Sequence, residues 1–205
     1  MRRMFRTISK AVFLITFVLL RQGGSSAPAA TGSTQRAAYF PVIKLQTQDG
    51  KEVRFYEDLI KGKTVVINFM YSACDGKLCN PGTKNLVQLQ GALGDHLGRD
   101  VFMYSITLDP GHDTPEVLKK YANSYGVKPG WTFLTGKEED ITNLRRKLGL
   151  FDSDPKKDAD RTQHSGMIVI GNDAFNKWGS AYVLARPDRI IEMIGRMTPP
   201  APLTK

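Results

Sequence analysis

Cys74 and Cys79 are the only cysteines in this chain of 205 residues, and they close the stretch TVVINFMYSACDGKLCN that runs from Thr64 to Asn80. Thiolates attack disulfides and ligate soft metals, so the pair points to thiol–disulfide exchange, to metal binding or to a static disulfide. On an ideal helix, residues five apart point roughly 140° away from each other and cannot share a bond or an ion. The segment must therefore bulge, and Gly76 supplies the backbone freedom for that. Three histidines complete the inventory. His96 falls near a helix C-terminus, where a surface role is expected. His112 sits in the turn from Asp109 to Asp113 and is expected to be solvated. His164 follows a long polar loop and immediately precedes an apolar strand, a position that would hold it rigidly near the cysteine loop.

Several elements must position these groups. Thr64 to Met70 is short, apolar and rich in β-branched residues, as in a strand buried on both faces; Tyr71 to Ala73 is a polar break before Cys74. Leu86, Leu89, Leu93 and Leu97 then recur at helical spacing, and Asn80-Pro81-Gly82 predicts that regular helix begins near Thr83 and ends in Gly98. A helix N-terminus beside the cysteines would favour thiolate through its orphan amides and dipole. Upstream, Val42–Leu45 and Val53–Phe55 flank Asp49-Gly50 as a hairpin. Downstream, Val101–Leu108 reads as a second buried strand, and Thr114-Pro115-Glu116 opens a helix whose buried face is Leu118, Tyr121 and Tyr125.

Trp131–Thr135 is a strand and Glu138–Leu148 a helix with Ile141, Leu144 and Leu148 inward. Residues 151–162, crowded with Asp and Lys, predict an exposed loop. Met167–Ile170 is a strand, Gly171-Asn172-Asp173 a turn, and residues 176–178 a returning strand. Pro187 opens a last helix with Ile190, Met193, Ile194 and Met197. There is no internal repeat. Alternating strands and helices predict an α/β sandwich of thioredoxin-like type: a central mixed sheet flanked by helices, with an N-terminal β-hairpin.

The first thirty residues are expected to be a signal peptide or N-terminal membrane anchor. Arg2, Arg3, Arg6 and Lys10 precede the apolar run Ala11–Leu20, and Ala27-Pro28-Ala29 resembles a cleavage site. Because no acid precedes Asp49, a mitochondrial presequence is the competing expectation. Residues 31–37 read as a linker, 38–198 as the folded domain and 199–205 as a flexible tail. Losing residues 1–30 removes five cations and no acid, which lowers the formal charge from +9 to +4. With no basic stripe, nucleic acid is not an expected partner. Export makes a disulfide the default state of the two cysteines.

The stretches SITLDPGHDTPEVLKKYANSYG (105–126), WTFLTG (131–136) and QHSGMIVIG (163–171), placed after a strand–Cys–loop–Cys–helix unit, resemble the SCO/SenC family over residues 39–197. That resemblance implies an exported or membrane-anchored copper protein, periplasmic or in the mitochondrial intermembrane space. It implies a metallochaperone that delivers copper to the copper site of cytochrome c oxidase or another copper protein, or keeps that site's cysteines reduced. The ligands it implies for Cu(I) and Cu(II) are Cys74, Cys79 and His164, with Asp109 a neighbour, and the partners it implies include a thiol–disulfide reductant. This chain departs from the family pattern, which has Cys-x3-Cys with Pro after the first cysteine and commonly an acid before the histidine. Here the spacing is Cys-x4-Cys with Asp75, and Gln163 precedes His164. A thiol–disulfide oxidoreductase without metal and a binding domain with a structural disulfide remain open beside the metallochaperone. An enzyme in the ordinary sense is not expected: peroxide turnover needs a stabilised low-pKa thiolate, and the pair has Lys77 beside it but no arginine between Arg54 and Arg99, while Asp75 next to Cys74 would oppose the thiolate if it faces the sulfur.

Overall fold

Every residue of Thr64–Met70 is buried, and the strand it forms, β3, lies inside the sheet with a neighbour on each side. The computed structural model describes residues 39–40, 42–74, 79–160 and 165–197, with the backbone alone for Cys79 and Ala159. The expected leader, linker and tail, together with Asp75, Gly76, Gln163 and His164, lie outside the described residues.

Seven strands make one mixed sheet in the order β2-β1-β5-β4-β3-β6-β7. They are β1 Lys44–Thr47, β2 Glu52–Arg54, β3 Thr64–Met70, β4 Val101–Thr107, β5 Trp131–Gly136, β6 Met167–Asn172 and β7 Lys177–Tyr182. β3, β4 and β5 are parallel, with Thr64 opposite Val101 and Met70 opposite Thr107. β1 and β6 add antiparallel to either side of this parallel core. The helices are α1 Cys79–Leu93, α2 Pro115–Ser124, α3 Glu138–Lys147, α4 Pro155–Ala159 and α5 Pro187–Met197. Side chains alternate across β3, so each face has its own core. Val65 and Ile67 pack with Phe55, Ile60, Ile141 and Leu144, which puts α3 on that side. Val66 packs with Leu86, Leu89, Leu118, Ile190 and Ile194, which puts α1, α2 and α5 on the other. This is the thioredoxin-like α/β sandwich expected from the sequence.

Four local expectations are corrected. α1 begins at Cys79 rather than near Thr83. Pro81 does not delay it, because the amides of a helix's first turn have no intrahelical acceptor to lose. The helix also stops at Leu93, where Gly94 at φ +51° turns the chain into a single 3-10 turn, Gly94–His96. Residues 171 and 172 belong to β6 rather than to a turn: Gly171 leaves room for the ring of Trp178 on β7, and Asn172 Nδ2 donates to Thr64 Oγ1 at 3.0 Å. Residues 151–160 are not merely an exposed loop, since Asp154 caps α4 by accepting from the Lys156 amide at 2.9 Å.

That α4 segment is fastened to α3. Asp158, whose side chain is only 6% exposed, sits 2.6 Å from Arg145, and Arg145 also donates to the carbonyls of Leu150 and Asp158. Burial pushes the Asp158 carboxyl up, but its bonds from the Asp152 amide and Arg145 outweigh this and hold it below its ordinary value. The stability it adds is therefore complete above the ordinary carboxylate range and is lost as pH falls through the lower folded-state value. Asp158→Ala should cost about 1–3 kcal/mol at neutral pH by leaving the part-buried charge of Arg145 without its carboxylate, with the two carbonyls as its remaining partners. It should also flatten the acid limb of the stability–pH curve. Urea unfolding between pH 3 and 7 measures both, and an unchanged midpoint at neutral pH would count against the clamp.

At the opposite end of the sheet, the loop before β4 and the loop before β5 touch through two glycines. Gly130 has φ +97°, and a Cβ on it would lie 2.5 Å from the Gly98 Cα, so neither loop tolerates a side chain at the contact.

Candidate functional site

The carboxyl ends of β3 and β4 lie side by side, and the chain leaves β3 through Tyr71, Ser72 and Ala73 to reach Cys74. Leu108 extends the pairing by donating its amide to the Met70 carbonyl at 2.7 Å. Cys74, 8% exposed, packs with Tyr71 and Leu108 in a small cluster of its own. It is disulfide-bonded, and the sequence holds one other cysteine, Cys79.

The Cys79 backbone opens α1, and that end of the helix is anchored independently of the cysteines. Tyr125 donates to Asn80 Oδ1 at 2.8 Å, and Thr83 shares a 2.9 Å hydrogen bond with Tyr121, which ties α1 to α2. Burial pushes the Tyr121 hydroxyl well above its usual range, so it stays a neutral partner to Thr83. Asn85 Nδ2 donates to the carbonyls of Val183 and Ala185, which ties α1 to the chain entering α5. The positive end of a helix dipole favours thiolate over thiol, so an α1 anchored with Cys79 in its first described turn is compatible with thiol chemistry once the disulfide is opened.

Against the segment from Tyr71 to Cys74 lies a residue that was not among the candidate site residues. Asp113, fully buried, accepts from the Ser72 amide at 3.0 Å, from the Ser72 hydroxyl, and from Thr107 Oγ1 at 2.5 Å. Its own amide donates to the Asp109 carbonyl at 2.8 Å, and Thr107 Oγ1 accepts from the Asp109 amide at 2.8 Å. One carboxylate thus joins the end of β3, the end of β4 and the turn before α2. In the sequence it stands only as the last residue of the turn Asp109 to Asp113, and its partners Ser72 and Thr107 lie in two other segments of the chain. Thr114 caps α2 as expected, accepting from the Val117 amide.

The histidines divide. His96 is 64% exposed, pairs with Asp100 at 2.7 Å and sits before the amino end of β4, at the far end of the sheet from Cys74. His112 is 56% exposed, yet its Nδ1 lies 3.2 Å from Asp113 Oδ1, so it touches the Asp113 network rather than standing in solvent alone. The neighbours of residues 161–164, Asp160 and Ser165, line one cavity of about 320 Å³ with Leu108 and Pro110, the residues that leave β4 beside Cys74. Among the described residues no group of three His, Cys, Asp or Glu side chains is placed to hold a metal ion. No described helix is long and apolar enough to cross a membrane.

A family model described as SCO1/SenC matches residues 32–198. The chain belongs to the SCO1/SenC family. Among relatives, the "SCO1 protein homolog" of Bacillus subtilis is 36% identical over 92 residues, which is 44% of this chain and 46% of that protein. The "Putative copper-binding protein" of Stutzerimonas stutzeri is 29% identical over 135 residues, 64% of this chain and 65% of that one. The matches therefore span less than two thirds of these relatives' own length. Among solved structures, BsSco, described as a member of the Sco family of cytochrome c oxidase assembly proteins with a disulfide switch, superposes with a TM-score of 0.63. It is 25% identical, with 77% of this chain and 92% of that one covered.

Proposed function

We propose that this protein is an exported copper-binding metallochaperone that delivers copper to, or keeps reduced the cysteines of, the copper site of cytochrome c oxidase. The observation that carries the reading is the placement of Cys74 in a disulfide at the carboxyl end of β3, beside the anchored start of α1. Family membership and the copper-binding relative support copper as the cargo. Cys74, Cys79 and His164 are the proposed ligands, with Asp109 a neighbour. Two thiolates suit Cu(I), and an imidazole added to them extends the site to Cu(II). The shared cavity of Asp160, Ser165, Leu108 and Pro110 supports an approach of the His164 loop to Cys74.

Loading requires the disulfide to open first, with two electrons and two protons from a dithiol reductant, and then loss of the thiol protons as the sulfurs take the metal. A reductant and a copper-site subunit, or another copper protein, are accordingly the proposed partners. The proposed location is periplasmic or membrane-anchored, or the mitochondrial intermembrane space. The deciding experiment is a metal assay on fully reduced protein: about one copper per chain is expected, and none would remove the reading.

A second reading, thiol–disulfide exchange without metal, is favoured by the disulfide itself. So small a ring closes little chain entropy and should reduce readily. A potential below about −300 mV, the range of structural disulfides, would exclude that reading.

His164→Ala should weaken Cu(II) binding far more than Cu(I) binding, because the two thiolates alone hold the softer ion. Competition titrations with a chelator for each oxidation state measure the difference. Equal losses, or no loss, would remove His164 from the site.

A further inference from the structure

We propose that Asp113 is a positioning residue for Cys74: its buried carboxylate holds the segment from Tyr71 to Cys74 in the conformation that closes the disulfide. The proposal rests on geometry at both ends of the contact. On one side, Ser72 commits its amide and its hydroxyl to the two oxygens of the same carboxylate, and a single residue separates Ser72 from Cys74. The Cys74 amide itself turns back to the Tyr71 carbonyl at 3.3 Å, so the whole of this short turn is specified by hydrogen bonds. On the other side, the carboxylate does not move with the cysteine loop. Its backbone is held by the Asp109 carbonyl and its Oδ2 by Thr107 at the end of β4.

The choice of a charged acceptor follows from the same geometry. A carboxylate accepts only, and three donors converge on it, with His112 Nδ1 as a fourth neighbour. Hydrogen bonds to a carboxylate are roughly twice as strong as neutral ones, and a buried carboxylate without such bonds would be costly. Asparagine has the same shape but brings an NH2 group that cannot accept from the Ser72 amide or from Thr107. Opening the disulfide removes the covalent restraint on Cys74, whereas the Asp113–Ser72 contact uses neither sulfur and survives. The segment therefore stays in place for re-closure, and equally for a ligand that binds both sulfurs.

The test equilibrates the protein with glutathione, so that protein disulfide and two glutathione thiols exchange for protein dithiol and one glutathione disulfide, and traps the thiols. Asp113→Asn should shift this equilibrium about tenfold toward the dithiol, which is about 30 mV for a two-electron couple. Ser72→Ala, which keeps the amide bond and loses the hydroxyl, should shift it about threefold in the same direction. Trp131→Phe, which weakens the core without touching these groups, should leave it within twofold. Shifts under twofold in both Asp113→Asn and Ser72→Ala would overturn the proposal, as would an equal shift in Trp131→Phe. If Asp113→Asn does not fold, Ser72→Ala decides alone by the same limit. A second arm, Cu(I) affinity of the reduced variants, rests on the metallochaperone reading and should fall about tenfold in Asp113→Asn. Failure of the wild-type protein to bind Cu(I) would defeat that reading alone, since the glutathione equilibrium still decides the role of Asp113.

Discussion

Reduced protein carrying Cys74→Ser is expected to lose copper affinity by more than about a hundredfold while keeping its fold. Replacing a soft thiolate by a hydroxyl leaves one sulfur and one imidazole, a poor set for Cu(I) and an incomplete one for Cu(II). The fold should survive because the elements around the site are fixed without the sulfur. α1 is held by Asn80 to Tyr125, Thr83 to Tyr121 and Asn85 to two carbonyls, and Ser72 is held by Asp113. Serine is also close to cysteine in size, so the contacts with Tyr71 and Leu108 remain filled. What is lost is the restraint on the unfolded chain, about 2 kcal/mol for a ring this small. Metal content after gel filtration and a thermal melt, compared with oxidised wild type, report the two quantities separately. Copper retained at wild-type affinity would show that Cys74 is not a ligand.

The largest loss of stability is expected from Trp131→Ala, about 3–5 kcal/mol. Trp131 is 2% exposed and stacks on Phe133 with ring centroids 5.4 Å apart. It also starts a buried relay across the parallel strands: its Nε1 donates to Ser105 Oγ at 2.8 Å, and Ser105 Oγ donates to Asn68 Oδ1 at 2.6 Å. Alanine opens a cavity and takes away the donor to Ser105 at once. Trp131→Phe refills most of the volume but still strips that donor, so it should cost only about 1–3 kcal/mol. Denaturant unfolding of the pair separates packing from hydrogen bonding. A loss below about 1 kcal/mol for the alanine variant would mean that the site collapses around the gap.

The sequence made the parallel core readable because its signals are local. The β-branched run from Thr64 to Met70, the capping triplet Thr114-Pro115-Glu116 and the spacing of Ile190, Ile194 and Met197 each specify an element without reference to anything distant. The start of α1 was misplaced because a proline was read as a barrier where the first turn accepts it. The polar interior was hidden for a different reason. Ser105 and Asn68 sit inside apolar strands and look like imperfections until the strands pair, and Asp158 looks solvated until Arg145 of α3 closes over it. Asp113 is the sharpest case. Its partners Ser72 and Thr107 come from two other segments, so its burial is a property of the assembled fold. At the candidate site the sequence located Cys74 at the end of a buried strand, whereas the carboxylate beneath it was legible only in three dimensions.

The contact between Gly98 and Gly130 bears on how this chain is free to change over generations. Each glycine is required by the backbone of the other, so drift at one position is forbidden while the second loop keeps its course. The two loops are consequently one inherited unit despite their separation in sequence. An insertion in either has to be matched by a rerouting of both, and a circular permutation opened there would part the only pieces of backbone that lock each other by shape alone among the described glycines.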